Sequence, residues 1–159
     1  MKVIVVVGNK GGIGKSTKAL IFAECLAMVK KMKGAFIDLD PQGNASSGLG
    51  FDYQKITKGI YEIMAFDEIN LPDITLQHKI DNLHIAPATL NLAGANVELV
   101  DLPRREFRLK DQLKPYMHQY DFILIDNPPS LGLLTINGMV AADELLIPVQ
   151  CEYFALEGL

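Results

Sequence analysis

Apolar positions along the chain follow two patterns, short continuous runs and helical spacing. Residues 3–7, VIVVV, form a continuous β-branched run, which is typical of a strand buried on both faces of a sheet. From Ser16 to about Lys31 the apolar residues recur every three or four positions, which predicts a helix. The same criteria predict further strands at 35–40, 82–88, 120–126 and 144–150, helices at 57–65, 91–100, 104–117 and 133–142, and loops at 41–50 and 127–132.

Strands that alternate with helices predict an α/β fold with a mostly parallel sheet flanked by helices. Sheets of this kind bind ligands at the carboxyl ends of their strands. Three polar segments fall at such ends: the glycine-rich residues 8–17, the acids of AFIDLD (35–40), and DNPPSLG (126–132). We therefore expect an active site where these segments meet.

Length and composition suit one globular domain over residues 1–159. The chain is 49% hydrophobic, enough for a sizeable core, and its net charge of −4 predicts no whole-surface attraction to DNA or anionic lipid. No apolar run approaches the about 18 residues that a membrane span needs. The last residues, CEYFALEGL, stop where a helix is expected to begin, so we expect a C-terminally truncated part of a longer protein.

The cysteines, histidines and arginines add little chemistry. Cys25 and Cys151 lie in apolar sequence contexts, and we expect reduced, buried thiols of a cytosolic protein. The three histidines show no metal-ligand spacing with them. The basic residues of the helix predicted at 104–117 are expected to form a solvated face rather than a nucleic-acid patch; they are Arg104, Arg105, Arg108 and Lys110.

The segment GNKGGIGKST, residues 8–17, nearly matches the phosphate-loop pattern G-x-x-x-x-G-K-S/T, with Asn9 in place of the first glycine. Its glycines would let backbone N–H groups curl around phosphate oxygens at the start of the following helix. Lys15 would reach the β- and γ-phosphates, and the Ser16 hydroxyl would bind Mg²⁺. Lys10 is either a solvated charge or a second cation that contacts phosphate held by a facing subunit, as an arginine finger does in trans.

The acids have independent physical reasons to belong to the site. Asp126 ends an apolar strand beside the loop, where a carboxylate can hold Mg²⁺ through water, although it could also simply cap the strand. Asp38 and Asp40 would point to one side if the strand continues to residue 40; two solvated acids are the alternative. Pro128 and Pro129 would stiffen the next loop, either as part of a γ-phosphate sensor or as a plain rigid turn.

Four segments together carry a family resemblance. KGGIGKST (10–17) resembles the deviant Walker A motif of the ParA/MinD superfamily, and IDLDPQGNASSGLG (37–50) is similar to switch I of the ParA-type, Soj-like partition ATPases. YDFILIDNPPSLGLLTINGMVAAD (120–143) resembles their Walker B and switch II region, and LIPVQCEYFALEGL (146–159) is similar to the stretch that follows. The likeness covers nearly the whole chain, and the DPQGN loop favours the partition branch.

The sequence departs from the family pattern at two places. Gly34 stands close to or inside the second strand, where the family usually carries a turn before the strand. This leaves the register between the first helix and the second strand open. Asn127 stands where Cys or Thr is commoner, and we expect it to be tolerated.

The resemblance implies a P-loop ATPase that binds ATP and Mg²⁺. In the family, the lysine at the position of Lys10 crosses a dimer interface to the partner's ATP, and the carboxylate at the position of Asp40 orients the attacking water. Asp38 then supports Mg²⁺ or the loop. The candidate catalytic residues are Lys10, Lys15 and Asp40. The candidate ATP-binding residues are Lys10, Gly11, Gly12, Ile13, Gly14, Lys15, Ser16, Thr17, Asp126 and Pro128, and the candidate Mg²⁺ ligands are Ser16, Asp40 and Asp126.

The implied function is a slow, dimeric ATPase switch for chromosome or plasmid partition. The resemblance implies a cytoplasmic, nucleoid-associated protein that is stimulated by a ParB-type partner and binds DNA non-specifically through regions mostly absent from this chain. We predict no membrane association. Three alternatives stay open: a MinD-like positioning or regulatory ATPase, an ATP-dependent biosynthetic synthetase on the same scaffold, and an inactive fragment. ATP rather than GTP is implied by the resemblance alone, since no residue present reads a base.

Overall fold

The computed structural model describes residues 1–8 and 14–149. In this part of the chain, six strands form one sheet with helices on both faces. The strands are β1 Lys2–Val6, β2 Gly34–Asp38, β3 Leu76–Gln77, β4 Leu83–Ala86, β5 Phe122–Asp126 and β6 Glu144–Leu146. The α-helices are α1 Lys15–Val29, α2 Asn44–Gly48, α3 Ile60–Ala65, α4 Leu71–Ile74, α5 Ala95–Glu98, α6 Arg108–Leu113 and α7 Leu133–Ala141.

The sheet is mostly parallel, as the alternation of strands and helices predicts. Its strand order is β3-β4-β2-β5-β1-β6, and only the short β3 runs antiparallel to its neighbour. The register places Asp126 beside Asp38 on one side and beside Val6 on the other. The central strands β2, β5 and β1 therefore end at the same level, which brings the segments that follow them together.

Two apolar layers cover the sheet. On one face, α1 packs its alanine stripe, Ala19, Ala23 and Ala27, against Phe36 and Leu124. The other face packs against α3, α5, α6 and α7. Every residue of β2 and β5 is buried, which explains why these strands read as continuous apolar runs rather than alternating ones.

Cys25 is exposed, so its predicted burial was wrong. The alanine stripe fixes the face of α1 that meets the sheet, and a residue two positions after Ala23 lies on the opposite side of the helix. Phe22 and Met28 are exposed with it. Cys151 lies outside the described residues. None of the helices in the described residues is long and apolar enough to cross a bilayer.

Several predicted boundaries were also wrong. The predicted loop at 41–50 contains α2, which begins after Gly43 in the left-handed conformation (φ 60°). The helix predicted at 91–100 is a 3-10 turn, Leu90–Gly94, that continues into α5. The sequence patterns did not predict α4 or β3. The strand predicted at 144–150 is the shorter β6, which ends at Leu146; residue 150 lies outside the described residues.

The helix predicted at 104–117 is instead α6 flanked by two 3-10 turns, Arg105–Phe107 and Lys114–Gln119. Arg104 has a positive φ of 54°, a conformation that a regular helix does not contain. Pro115 has no N–H to donate to the preceding turn. The α-helix that forms between these two positions is therefore short, Arg108–Leu113.

We expect Gly34→Ala to destabilise the chain, because Gly34, the first residue of β2, packs directly against the ring of Phe122. It pairs with both Phe122 and Leu83, so it lies inside the strand and the register is settled. A Cβ at this position would lie 2.1 Å from Cζ of Phe122, a ring that is buried. Overpacking of this kind should lower the free energy of unfolding by roughly 1–3 kcal/mol, measured by urea denaturation.

Gly48→Ala is the matched control for Gly34→Ala. At Gly48, the last residue of α2, an added Cβ would meet nothing nearer than Leu20 at 4.0 Å. The control should leave stability unchanged or raise it slightly, since alanine is the better helix former. Equal stabilities for the two variants would contradict the close contact between Gly34 and Phe122.

The stability of the chain should depend on pH through His84. Its Nδ1 lies 3.0 Å from the Tyr120 hydroxyl; burial, followed by the charge of Lys33, lowers the pKa of His84. In the unfolded chain the His84 imidazole takes up a proton near pH 6.5, whereas in the folded chain it does so only at lower pH. The free energy of unfolding therefore falls as the pH drops below about 6.5.

We expect His84→Gln to reduce this loss. The measurement is urea unfolding of the wild type and the variant at about pH 7.5 and about pH 5.5. Groups that both proteins share cancel in the comparison. An identical change in unfolding free energy between the two pH values for both proteins would rule out His84 as a contributor.

Candidate functional site

The carboxyl ends of β1, β5 and β2 and the start of α1 meet at one edge of the sheet. The structure brings together Lys15, Asp38, Asp40 and Asp126 there, as the sequence predicts. Other candidates lie outside the described residues, so their roles stay predictions; they are Lys10, Gly11, Gly12 and Ile13.

Lys15, the first residue of α1, contacts the end of β5. The preceding Gly14 adopts the left-handed conformation (φ 68°), which glycine reaches without steric cost. The Lys15 side chain is buried, and its Nζ donates to Oδ1 of Asp126 at 2.5 Å and to the carbonyl oxygen of Asn127. A cation thus lies at the N-terminus of a fifteen-residue helix, whose dipole and free N–H groups also favour anions.

Asp126 is fully buried and only partly satisfied. Burial raises the pKa of this carboxyl, while the charge and hydrogen bond of Lys15 and a hydrogen bond from Ser16 oppose the rise. Among the described residues, Oδ2 of Asp126 has no hydrogen-bond partner. Leaving such an oxygen without a partner is costly, so the site suits a cation or a cation-bound water.

The donor set at this edge fits Mg²⁺. Asp40 lies close enough to Asp126 for its charge to raise the pKa of that carboxyl, and the hydroxyl of Ser16 is adjacent. Within residues 1–8 and 14–149, no three His, Cys, Asp or Glu side chains group as metal ligands. Mg²⁺ in phosphate sites commonly takes one or two carboxylates and completes its shell with phosphate oxygens and water, which matches this arrangement.

The loop that carries Asp40 closes on itself in a tight turn. Oδ1 of Asp40 accepts a hydrogen bond from the Gln42 amide at 3.0 Å, and the Gly43 amide donates to the Asp40 carbonyl at 2.9 Å. The Leu39 amide donates to the Asp126 carbonyl at 3.0 Å, which extends the pairing of the two strands by one residue. The carboxyl group of Asp40 is therefore held near that of Asp126.

Asp38 supports this loop through its described hydrogen bonds. Its Oδ2 accepts from the amide and the hydroxyl of Ser46 at 2.8 and 2.7 Å, and its Oδ1 accepts from the Asp40 amide at 3.2 Å. Burial raises the pKa of Asp38 to about 7, against the lowering effect of the Ser46 hydrogen bonds. Of the two predicted roles, these contacts favour loop support over Mg²⁺ binding.

Asn127 anchors the loop after β5 to α7. The backbone N–H of Asn127 donates to the carbonyl of Val6, and the side-chain Nδ2 donates to the carbonyl of Thr135, both at 3.2 Å. A Cβ at Gly138 would lie 2.0 Å from Oδ1 of Asn127. The asparagine fits because residue 138 is a glycine, a long-range dependence that no local sequence pattern shows. Pro128 is buried beside it.

Comparison with known proteins adds independent findings. A family model described as an AAA domain matches residues 1–159. The chain is 48% identical to the sporulation initiation inhibitor protein Soj of Bacillus subtilis, over 99% of this chain and 62% of Soj. It is also 48% identical to the chromosome partitioning protein ParA of Myxococcus xanthus, over 99% of this chain and 55% of that protein.

The fold also resembles a solved biosynthetic enzyme. Cobyrinic acid a,c-diamide synthase from Mycobacterium smegmatis, with bound ADP and magnesium, is similar at a TM-score of 0.91 and 31% identity. The likeness covers 100% of this chain and 64% of the synthase.

The chain spans about 55–62% of the length of the two curated relatives. The family model matches every residue of the chain, and the parallel sheet with a lysine at the start of α1 is the architecture that the resemblance implied. The chain therefore belongs to the AAA domain family and is of the ParA/Soj type within it.

Proposed function

We propose that this chain is the nucleotide-binding part of an ATP-dependent, dimeric switch protein for chromosome or plasmid partition, acting in the cytoplasm at the nucleoid. The observation that carries the proposal is the buried contact between Lys15 and Asp126 at the start of α1. It sets a cation beside a carboxylate, one oxygen of which has no hydrogen-bond partner among residues 1–8 and 14–149. The 48% identity to Soj and ParA supports the partition role.

ATP and Mg²⁺ are the proposed ligands. Bound Mg²⁺ would neutralise phosphate charge. Lys15 would bind the β- and γ-phosphates, with amides of the glycine-rich loop around them, and Ser16 and Asp126 would hold the ion, with Asp40 as a third ligand. Asp40 would also orient the attacking water. Gly11, Gly12, Ile13, Gly14, Thr17 and Pro128 complete the proposed nucleotide contacts.

In this proposal the second lysine of the loop, Lys10, contacts the ATP of the partner subunit. A cation supplied in trans would make dimerisation depend on the triphosphate and would make turnover slow in the absence of the partner. A ParB-type protein would stimulate hydrolysis and so release the dimer.

In this proposal, non-specific DNA binding is not assigned to the basic cluster of α6 and the turn before it. The arginines of the basic cluster are already paired with acids: Arg104 with Asp111 at 2.9 Å, Arg105 with Glu106 at 2.8 Å, and Arg108 with Asp67 at 2.6 Å. Paired arginines release less binding energy on phosphates than free ones, since each existing contact must first be broken. The net charge of −4 points the same way.

A biosynthetic synthetase is the second candidate, because the TM-score to the diamide synthase is 0.91. Sequence identity supports the partition role, at 48% to Soj and ParA against 31% to the synthase. A MinD-like positioning ATPase is less favoured, since the DPQGN loop resembles that of the partition branch. ATP consumption that requires a carboxylic acid and an amide donor would support the synthetase instead.

We expect Lys10→Ala to bind ATP but to remain monomeric. The measurement is sedimentation velocity of the protein with Mg²⁺ and either ATP or ADP. The wild type should form dimers with ATP and stay monomeric with ADP, because only the triphosphate provides the γ-phosphate for a cation in trans. Titration calorimetry with ATP would verify that the variant still binds nucleotide.

Lys18→Ala is the matched control, since Lys18 is an exposed lysine on α1. It should dimerise with ATP as the wild type does. Dimers of Lys10→Ala as stable as those of the control would remove the trans role of Lys10. Equal dimerisation of the wild type with ATP and ADP would remove the switch itself.

A further inference from the structure

Asp38 is a fully buried carboxylate beside the proposed catalytic residue, and the proposed reaction does not use it. All three of its described hydrogen bonds come from neutral donors, whereas the neighbouring Asp126 contacts a lysine. A buried carboxyl whose two oxygens already accept hydrogen bonds from neutral groups is poorly placed to bind a cation. Its described contacts therefore point to a role in holding the residues that donate to it.

Two of the three hydrogen bonds tie Asp38 to Ser46 in α2. The amide and the hydroxyl of Ser46 both donate to Oδ2 of Asp38, at 2.8 and 2.7 Å. The same hydroxyl accepts a hydrogen bond from the Ala88 amide at 3.3 Å. The Ser46 hydroxyl thus acts as donor and acceptor at once, and it joins the end of β2 to the segment that follows β4.

The third hydrogen bond reaches the proposed catalytic residue. Oδ1 of Asp38 accepts from the amide of Asp40 at 3.2 Å. The turn formed by residues 40–43 is internally bonded, so it moves as a unit, and its attachments on either side decide where it points. On the side of Asp40 the described attachments are the Asp38 carboxylate and the hydrogen bond from the Leu39 amide to the Asp126 carbonyl. On the side of α2 Asp38 contributes again, through Ser46.

We infer that Asp38 and Ser46 are positioning residues for ATP hydrolysis, a buried clamp that fixes the direction of the Asp40 side chain relative to Asp126. The inference rests on the proposed function, in which Asp40 orients the attacking water. A small shift of the turn at residues 40–43 would leave phosphate binding by Lys15 intact. It would, however, misplace the attacking water that Asp40 orients. The clamp therefore acts on turnover rather than on nucleotide affinity.

Two substitutions test the clamp by different routes. Asp38→Asn keeps the shape but replaces one accepting oxygen with an NH₂ group, which is a donor and would face the donors of Ser46 or of the Asp40 amide. Ser46→Ala removes one hydrogen bond to Asp38 and leaves the Ala88 amide without its acceptor. Both should lower kcat for ATP hydrolysis by roughly 10–100-fold, the scale of a small misplacement of a reacting group. The KM for ATP should change by no more than about twofold.

Ser47→Ala is the control, since Ser47 is the exposed neighbour of Ser46 on the same helix. It should retain the wild-type kcat. Amide hydrogen exchange provides a readout that is independent of turnover: residues 39–47 should exchange faster in Ser46→Ala than in Ser47→Ala. This comparison remains decisive even if Asp38→Asn does not fold. Equal exchange in the two serine variants would overturn the clamp.

Asp40→Asn separates the two levels of inference. If Asp40→Asn hydrolyses ATP like the wild type, the proposed role of Asp40 fails and the positioning role falls with it. If Asp40→Asn is inactive while Asp38→Asn and Ser46→Ala match Ser47→Ala in kcat, only the positioning role fails. A drop in kcat with proportional weakening of ATP binding in the Ser46 variant would indicate a purely structural effect and would also overturn it.

Discussion

The contact between Lys15 and Asp126 is the interaction on which the site depends. Both side chains are buried, and a buried charge without a partner is costly enough to unfold a marginally stable domain. Each therefore requires the other, and the Asn127 carbonyl completes the lysine's hydrogen bonding. Since Lys15 opens α1 and Asp126 closes β5, a single contact ties the first helix to the middle of the sheet.

The two acids at neighbouring strand ends differ in their partners. Asp38 and Asp126 are adjacent in register, and burial raises the pKa of both. The oxygens of Asp38 are occupied by amide and hydroxyl donors, whereas Asp126 has a cation on one oxygen and no described partner on the other. An aspartate thus holds a loop at the end of β2, and in the proposed function the neighbouring aspartate at the end of β5 binds a metal ion.

The sequence predicted the central sheet and the meeting point of the site, because parallel strands read as apolar runs and their carboxyl ends must lie together. The sequence did not predict α2. The residues of this helix, NASSG, are mostly turn formers, and the helix begins only because Gly43 adopts the left-handed conformation. The exposure of Cys25 was equally hidden, because α1 is apolar on both sides and only contact with the sheet selects the alanine face. The contact between Asn127 and Gly138 joins positions with no shared local pattern.

The fit between Asn127 and Gly138 has an evolutionary corollary. Any side chain that replaces the glycine must occupy the space of the asparagine's carboxamide, so variation at the two positions has to be compensatory. A homologue with a residue larger than glycine at position 138 would be expected to carry a residue smaller than asparagine at position 127. Lineages could pass between such pairs only through a single-substituted intermediate that either clashes or contains a void.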